Sequence, residues 1–232
     1  MPAKNSTKTY IENGYYHIYN RGVEKRIIFL DQQDYAVFLS YLKDYLLPKN
    51  EKELHKKLSD PQISSKEKDK ALKLLRLNNF NQDITLLAYC LMPNHFHFFV
   101  KQKSLNSIDR FLQSLCTRYV LYFNKKYKRV GSLFQGVYKA VLVERENQFL
   151  YLSKYIHKQA LQALASQGET LRTQTQHPSS YPDYIGTRKT LWVYTDDVLS
   201  YFSKENPVLS YASFVTESED TSVLKNLTLE DI

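Results

Sequence analysis

The chain has 232 residues, 43% of them hydrophobic and 24% charged, with six glycines and seven prolines. That length holds one ordinary domain with extensions, and the composition excludes fibrous, low-complexity and disordered chains. The longest apolar run, 86–92, is far short of the ~20 residues a membrane span needs, and the polar start MPAKNSTKTY lacks the apolar stretch of a signal peptide. Two cysteines, Cys90 and Cys116, each sit inside an apolar pattern, which fits a reduced, cytoplasmic setting better than a disulfide framework.

Net charge is +8 and unevenly placed. Between Lys101 and Arg145 stand ten Lys/Arg against two Asp/Glu, whereas from Thr190 onward two Lys face eight Asp/Glu. A basic middle with an acidic tail points to a polyanion partner for the middle. Nineteen tyrosines, many beside Lys or Arg, suit stacking on unpaired bases.

In chain order, residues 1–13 are polar and expected to be loose. YYHIYNR at 15–21 reads as a strand closed by Gly22. A helix opens at Asp31 or Gln32 and runs to about 47, with Tyr35, Phe38, Leu39, Leu42 and Leu46 at helical spacing. Residues 49–80 are Lys/Glu-rich and read as a mobile helical hairpin inserted into the domain. Then come a strand at 84–92, a turn at Pro93-Asn94, and a second strand, HFHFFVK, at 95–101. A helix over about 105–127, a strand over 133–143 and a helix over about 147–165 follow. Residues 166–232 form an extension with a short helix near 195–204 and the acidic tail. Strand, helix, strand, strand, helix, strand is the βαββαβ ferredoxin-like order of the α+β class, which makes the first and third strands central in a four-stranded antiparallel sheet.

Three groups of residues carry candidate chemistry. On a strand, His95 and His97 share one face while Phe96, Phe98 and Val100 take the other. Two imidazoles so placed can chelate a divalent metal, including Mg²⁺ or Mn²⁺ beside oxygen ligands; they also fit two half-buried histidines with ordinary hydrogen bonds. His17, on the first strand, is a weaker competitor because it has no partner at two-residue spacing. On the last helix, Tyr151, Tyr155 and Gln159 form a stripe, so Tyr155 and Gln159 lie one turn apart. A tyrosine hydroxyl can act as a nucleophile towards phosphorus, and the glutamine amide can offer a metal its oxygen. An amphipathic helix edge explains the same stripe. The third group is the basic, aromatic stretch 118–139, with Arg118, Lys125, Lys126, Lys128, Arg129, Tyr138 and Lys139 as candidate nucleic-acid contacts, joined by Arg21 at the end of the first strand.

YHIYNRG at 16–22, LMPNHFHFFV at 91–100, RVGSLFQGVYK at 129–139 and YIHKQAL at 155–161 stand in order and at sensible spacing. Together they resemble the single-tyrosine HUH transposases, most closely the REP-associated tyrosine transposases of the IS200-like fold family. The resemblance covers about 14–165, and HPSSYPDYIG at 177–186 is similar to that subgroup's C-terminal extension. It implies that His95 and His97 bind a divalent metal, that Tyr155 is the nucleophile, and that Gln159 completes the metal site where close members usually carry Asn-Pro. It further implies cleavage and rejoining of single-stranded DNA beside a foldback hairpin, through a 5′-phosphotyrosine intermediate. A monomer is slightly favoured over a homodimer. The alternative is a non-catalytic hairpin DNA- or RNA-binding module on the same fold.

Overall fold

The computed structural model describes residues 8–165 and 177–217. The acidic end of the tail and the Ser/Thr/Gln-rich stretch that precedes His177 lie outside the described residues. Four strands, β1 (Tyr15–Arg21), β2 (Ile84–Met92), β3 (His95–Gln102) and β4 (Lys139–Val143), make one antiparallel sheet in the order β2-β3-β1-β4. The central strands are β1 and β3, as the element order implies.

Pleating sorts their side chains onto two faces. Tyr16 and Ile18 of β1 and Phe96, Phe98 and Val100 of β3 turn to one core. Helices α1 (Gln32–Leu46) and α4 (Ser107–Lys126) cover it with Phe38, Leu42, Phe111, Leu115 and Tyr119. Phe99 turns to the other core, with Leu87, Ala88 and Cys90 of β2. A bulge between Leu86 and Ala88 puts two successive β2 residues, Leu87 and Ala88, on that second face. Helix α5 (Glu146–Ala165) covers it with Phe149, Leu152, Ile156 and Ala160. The sheet is thus filled on both sides, and the two cysteines are unpaired on opposite faces of it.

Local signals explain most boundaries. Asp31 caps α1 by accepting the Asp34 amide. Asn106, at φ +64°, keeps Leu105 out of α4, so that helix starts two residues later than the sequence predicts. The fourth strand is shorter than predicted. Leu133 and Phe134 are buried in the first core, Gln135 N donates to Arg21 O at 2.8 Å, and a turn at Gly136 (φ +72°) precedes the regular strand. Gly22 is required by crowding, because a Cβ there would lie 2.2 Å from the Arg26 carbonyl oxygen. Between α1 and β2 stand α2 (Glu51–Ser59) and α3 (Ser65–Arg76), which begins with a Ser64/Glu67 capping box; within these two helices only Ala71 is buried.

The extension wraps the α5 side. Its short helices α6 (Tyr181–Tyr184), α7 (Asp196–Leu199) and α8 (Tyr211–Thr216) bring Tyr181, Tyr184, Val198, Tyr211 and Val215 into the second core. It also runs along the outer side of β2. Leu91 N donates to Pro178 O at 2.9 Å, Ser180 N to Tyr89 O at 3.0 Å, and Tyr194 N to Leu86 O at 2.8 Å. Among the described residues, no helix is long and apolar enough to cross a membrane.

Candidate active site

The α5 face of the central strands carries three imidazoles and a phenol. β1 and β3 pair with Tyr19 opposite His97 and Arg21 opposite His95, so His17, Tyr19 and Arg21 share a face with both HxH histidines. His17 and His97 are fully buried, and His17 Nε2 lies 2.9 Å from His97 Nδ1. The rings of His95 and His97 are 4.9 Å apart between centroids. From α5, Tyr155 sets its ring edge-on to both inner histidines, 5.5 Å from His97 and 6.0 Å from His17, and is 5% exposed. Gln159 is half-buried on the next turn, about 6 Å along the helix axis. Tyr151 points away, packing edge-on against Phe214 of the extension at 5.6 Å.

The electrostatics keep His95 and His97 neutral. Burial, then the Arg21 charge, pushes His95 down to about 4. Burial, followed by its two histidine neighbours, holds His97 well below the usual histidine range. A neutral imidazole keeps a lone pair for a ligand. His95 Nδ1 lies 2.7 Å from Asn94 Oδ1, and His97 Nδ1 faces His17. His97 Nε2 is a buried nitrogen with no hydrogen-bond partner. Such atoms are rare in folded proteins, and an unpartnered imidazole nitrogen beside a second histidine fits a divalent metal. Among the described residues no group of three or more His, Cys, Asp and Glu is arranged to hold a metal. A two-histidine site completed by an amide oxygen would not form such a group.

The predicted DNA contacts divide. Arg21 is half-buried at the site, with Nε donating to Gln135 Oε1 at 3.2 Å. Lys139 lies opposite Tyr19 on β4, on the same face. Lys125 and Lys128 are exposed where α4 ends, and Arg129 there donates to Asn124 Oδ1 at 3.2 Å. Three expectations need correction. Arg118 sits on the opposite side of the sheet, where Nη2 donates to Asp44 at 2.9 Å and the guanidinium lies 3.7 Å from the Tyr41 ring centre. Lys126 is held by Asp31 and Asp34 at 2.8 Å each. Tyr138 is buried in the first core, its hydroxyl bonded to Asp109 and 2.7 Å from that of Tyr10, so its ring cannot stack on a base. All three have intramolecular partners from the α1–α4 layer or the N-terminal segment, which composition alone does not reveal.

Residues 54–159 match the family model described as transposase IS200 like. This stretch, just under half of the chain, is similar to IS200-like transposases. It runs from α2 to α5 and contains His95, His97, Tyr155 and Gln159, while His17 and Arg21 precede it. Among solved structures, a REP-associated tyrosine transposase bound to a REP hairpin aligns over 83% of this chain and 91% of its own, at 11% identity and a TM-score of 0.46. A candidate transposase from Deinococcus radiodurans R1 aligns over 66% and 96%, at 14% identity and a TM-score of 0.36. No curated protein matches the sequence. The IS200-like match does not extend to the extension, whose contribution rests on its own contacts.

One of these contacts went unnoticed in the sequence. His157 is fully buried on α5, with Nδ1 2.6 Å from the Tyr211 hydroxyl and Nε2 2.7 Å from Ser180 Oγ. The same Ser180 oxygen accepts the Tyr89 amide at 2.9 Å. Helix, extension and β2 therefore meet at one imidazole, two residues beyond Tyr155. The only sequence signal was a histidine inside an apolar helix stripe.

Proposed function

We propose that this chain is a single-tyrosine transposase that cleaves and rejoins single-stranded DNA beside a foldback hairpin. The observation that carries the reading is the Tyr155 ring packed against His97, whose buried Nε2 has no partner. His95, His97 and Gln159 would hold Mg²⁺ or Mn²⁺, which supplies charge neutralisation at the scissile phosphodiester.

The protein's own groups do the rest. Tyr155 Oη attacks phosphorus in line, forming a phosphotyrosine bond to the 5′ side as the P–O3′ bond breaks. The tyrosine proton ends on the departing 3′ oxygen, which leaves a free 3′-hydroxyl and conserves the phosphodiester bond for rejoining. Arg21 and Lys139, on the site face, hold flanking phosphates, and Lys125, Lys128 and Arg129 extend the basic surface. The chain acts in the cytoplasm, as a monomer.

The test uses end-labelled hairpin DNA with a single-stranded flank, in Mg²⁺ or Mn²⁺, resolved on a denaturing gel. Label should become covalently attached to the protein, be lost in Tyr155→Phe and persist in Tyr151→Phe. An adduct surviving Tyr155→Phe would move the nucleophile elsewhere. Binding without an adduct under any metal would favour a non-catalytic hairpin-binding module.

A further inference from the structure

We propose that His17 is a positioning residue that holds the proton of His97 on Nδ1, so that Nε2 is presented as the ligand atom. This rests on the metal reading above. One hydrogen bond joins the two rings, His17 Nε2 to His97 Nδ1 at 2.9 Å, and one proton lies in it. Were that proton on His17, neutral His97 would carry its own on Nε2. That nitrogen is buried without a partner, so an N–H there would be an unsatisfied donor and its lone pair would be lost to a metal. With the proton on His97 Nδ1, the bond is satisfied and Nε2 keeps its lone pair.

His95 repeats the design with a different acceptor. Asn94 Nδ2 donates to the Lys25 carbonyl at 3.2 Å, which fixes the amide oxygen as the atom facing His95 Nδ1 at 2.7 Å. Each HxH histidine is thus tied through Nδ1, one by a carboxamide and one by an imidazole. Metal-bound histidines generally donate their second N–H to a carboxylate or carbonyl, and loss of that partner weakens metal binding. A carboxylate at position 17 would be a fully buried charge, whereas a neutral imidazole accepts the same bond without one. Sequence places His17 outside the IS200-like match, and only the antiparallel register of β1 on β3 brings it to His97.

The experiment reads the tautomer directly. A long-range ¹H–¹⁵N spectrum of the metal-free, ¹⁵N-labelled full chain, assigned with His97→Gln, should show His97 protonated on Nδ1. In His17→Gln, whose amide reaches about the position of Nε2, that tautomer should persist, with Mn²⁺ affinity by calorimetry within about threefold of the parent. In His17→Leu the proton should redistribute to Nε2 and Mn²⁺ affinity should fall about 10–100-fold. A wild-type His97 protonated on Nε2 overturns the proposal, even if His17→Leu does not fold. So does an unchanged tautomer in a folded His17→Leu. A wild-type spectrum with the expected tautomer but no Mn²⁺ effect on His95 or His97 would leave the tether standing and refute the metal reading instead.

Discussion

Replacing His157 with glutamine should flatten part of the protein's acid sensitivity. His157 is fully buried, bonded at both ring nitrogens, and ringed by Tyr181, Tyr184 and Tyr211. Burial, then the charge of Arg188, pushes it down to about 3. In the unfolded chain a histidine titrates near 6.5. The folded form therefore binds this proton less readily, so the stability His157 contributes is present above about pH 6.5 and is lost as pH falls towards 3. Between pH 7.5 and pH 5 the loss is about 1.5 units at 1.36 kcal/mol each, or about 2 kcal/mol. Glutamine carries no such proton, and at pH 7.5 it should cost about 1–3 kcal/mol for the bond it cannot remake. Urea unfolding of both proteins across that range measures the difference. The gap between them should shrink by about 2 kcal/mol on acidification, while other histidines cancel in the comparison. A gap that stays constant within about 0.5 kcal/mol would show that His157 does not remain neutral in the folded protein.

Three further outcomes are expected. Tyr211→Phe keeps the ring but removes the hydroxyl shared by His157 and Ser153, and should cost about 1–3 kcal/mol, read as a fall in Tm of about 2–4 °C per kcal/mol. Gly22→Ala forces the turn over residues 23–26 away from a Cβ that would sit 2.2 Å from the Arg26 oxygen, and should lower stability in the same assay by about 1–3 kcal/mol. In fluorescence anisotropy with hairpin DNA across a salt series, Arg21→Ala should weaken binding and reduce the salt slope by about one. Arg118→Ala, which breaks a pair with Asp44 on the far layer, should leave that slope unchanged.

Where local chemistry decided the outcome, the sequence was readable. β1 and β2 fall on the predicted residues because aromatic and β-branched runs end at glycine, Pro93-Asn94 or a polar stretch. The two-residue step of His95 and His97 and the four-residue step of Tyr155 and Gln159 follow directly from strand and helix periods. What brings these two pairs together is the docking of α5 on β2 and β3, which no local pattern specifies. His17 is hidden in the sequence for the same reason. Its partner is diagonal across a strand pair, 80 residues away, and spacing along one strand cannot reveal it. Tyr138 and Arg118 show the converse failure. Basic and aromatic residues in a basic stretch look like ligand contacts until the fold supplies Asp109 and Asp44.

The strip of extension along β2 also closes one of the two edges of the sheet. An outer strand with open amides and carbonyls is a template on which any extended chain can add. Here the template is already written over, by residues 178–180 and by Tyr194 of the same polypeptide. Self-association therefore cannot proceed by continuing the sheet past β2. A chain severed between α5 and Pro178 that lost this strip would expose it, together with the apolar surface beneath Tyr181, Tyr184 and Tyr211. Losing the strip would leave the β2 edge open to pairing with another extended chain.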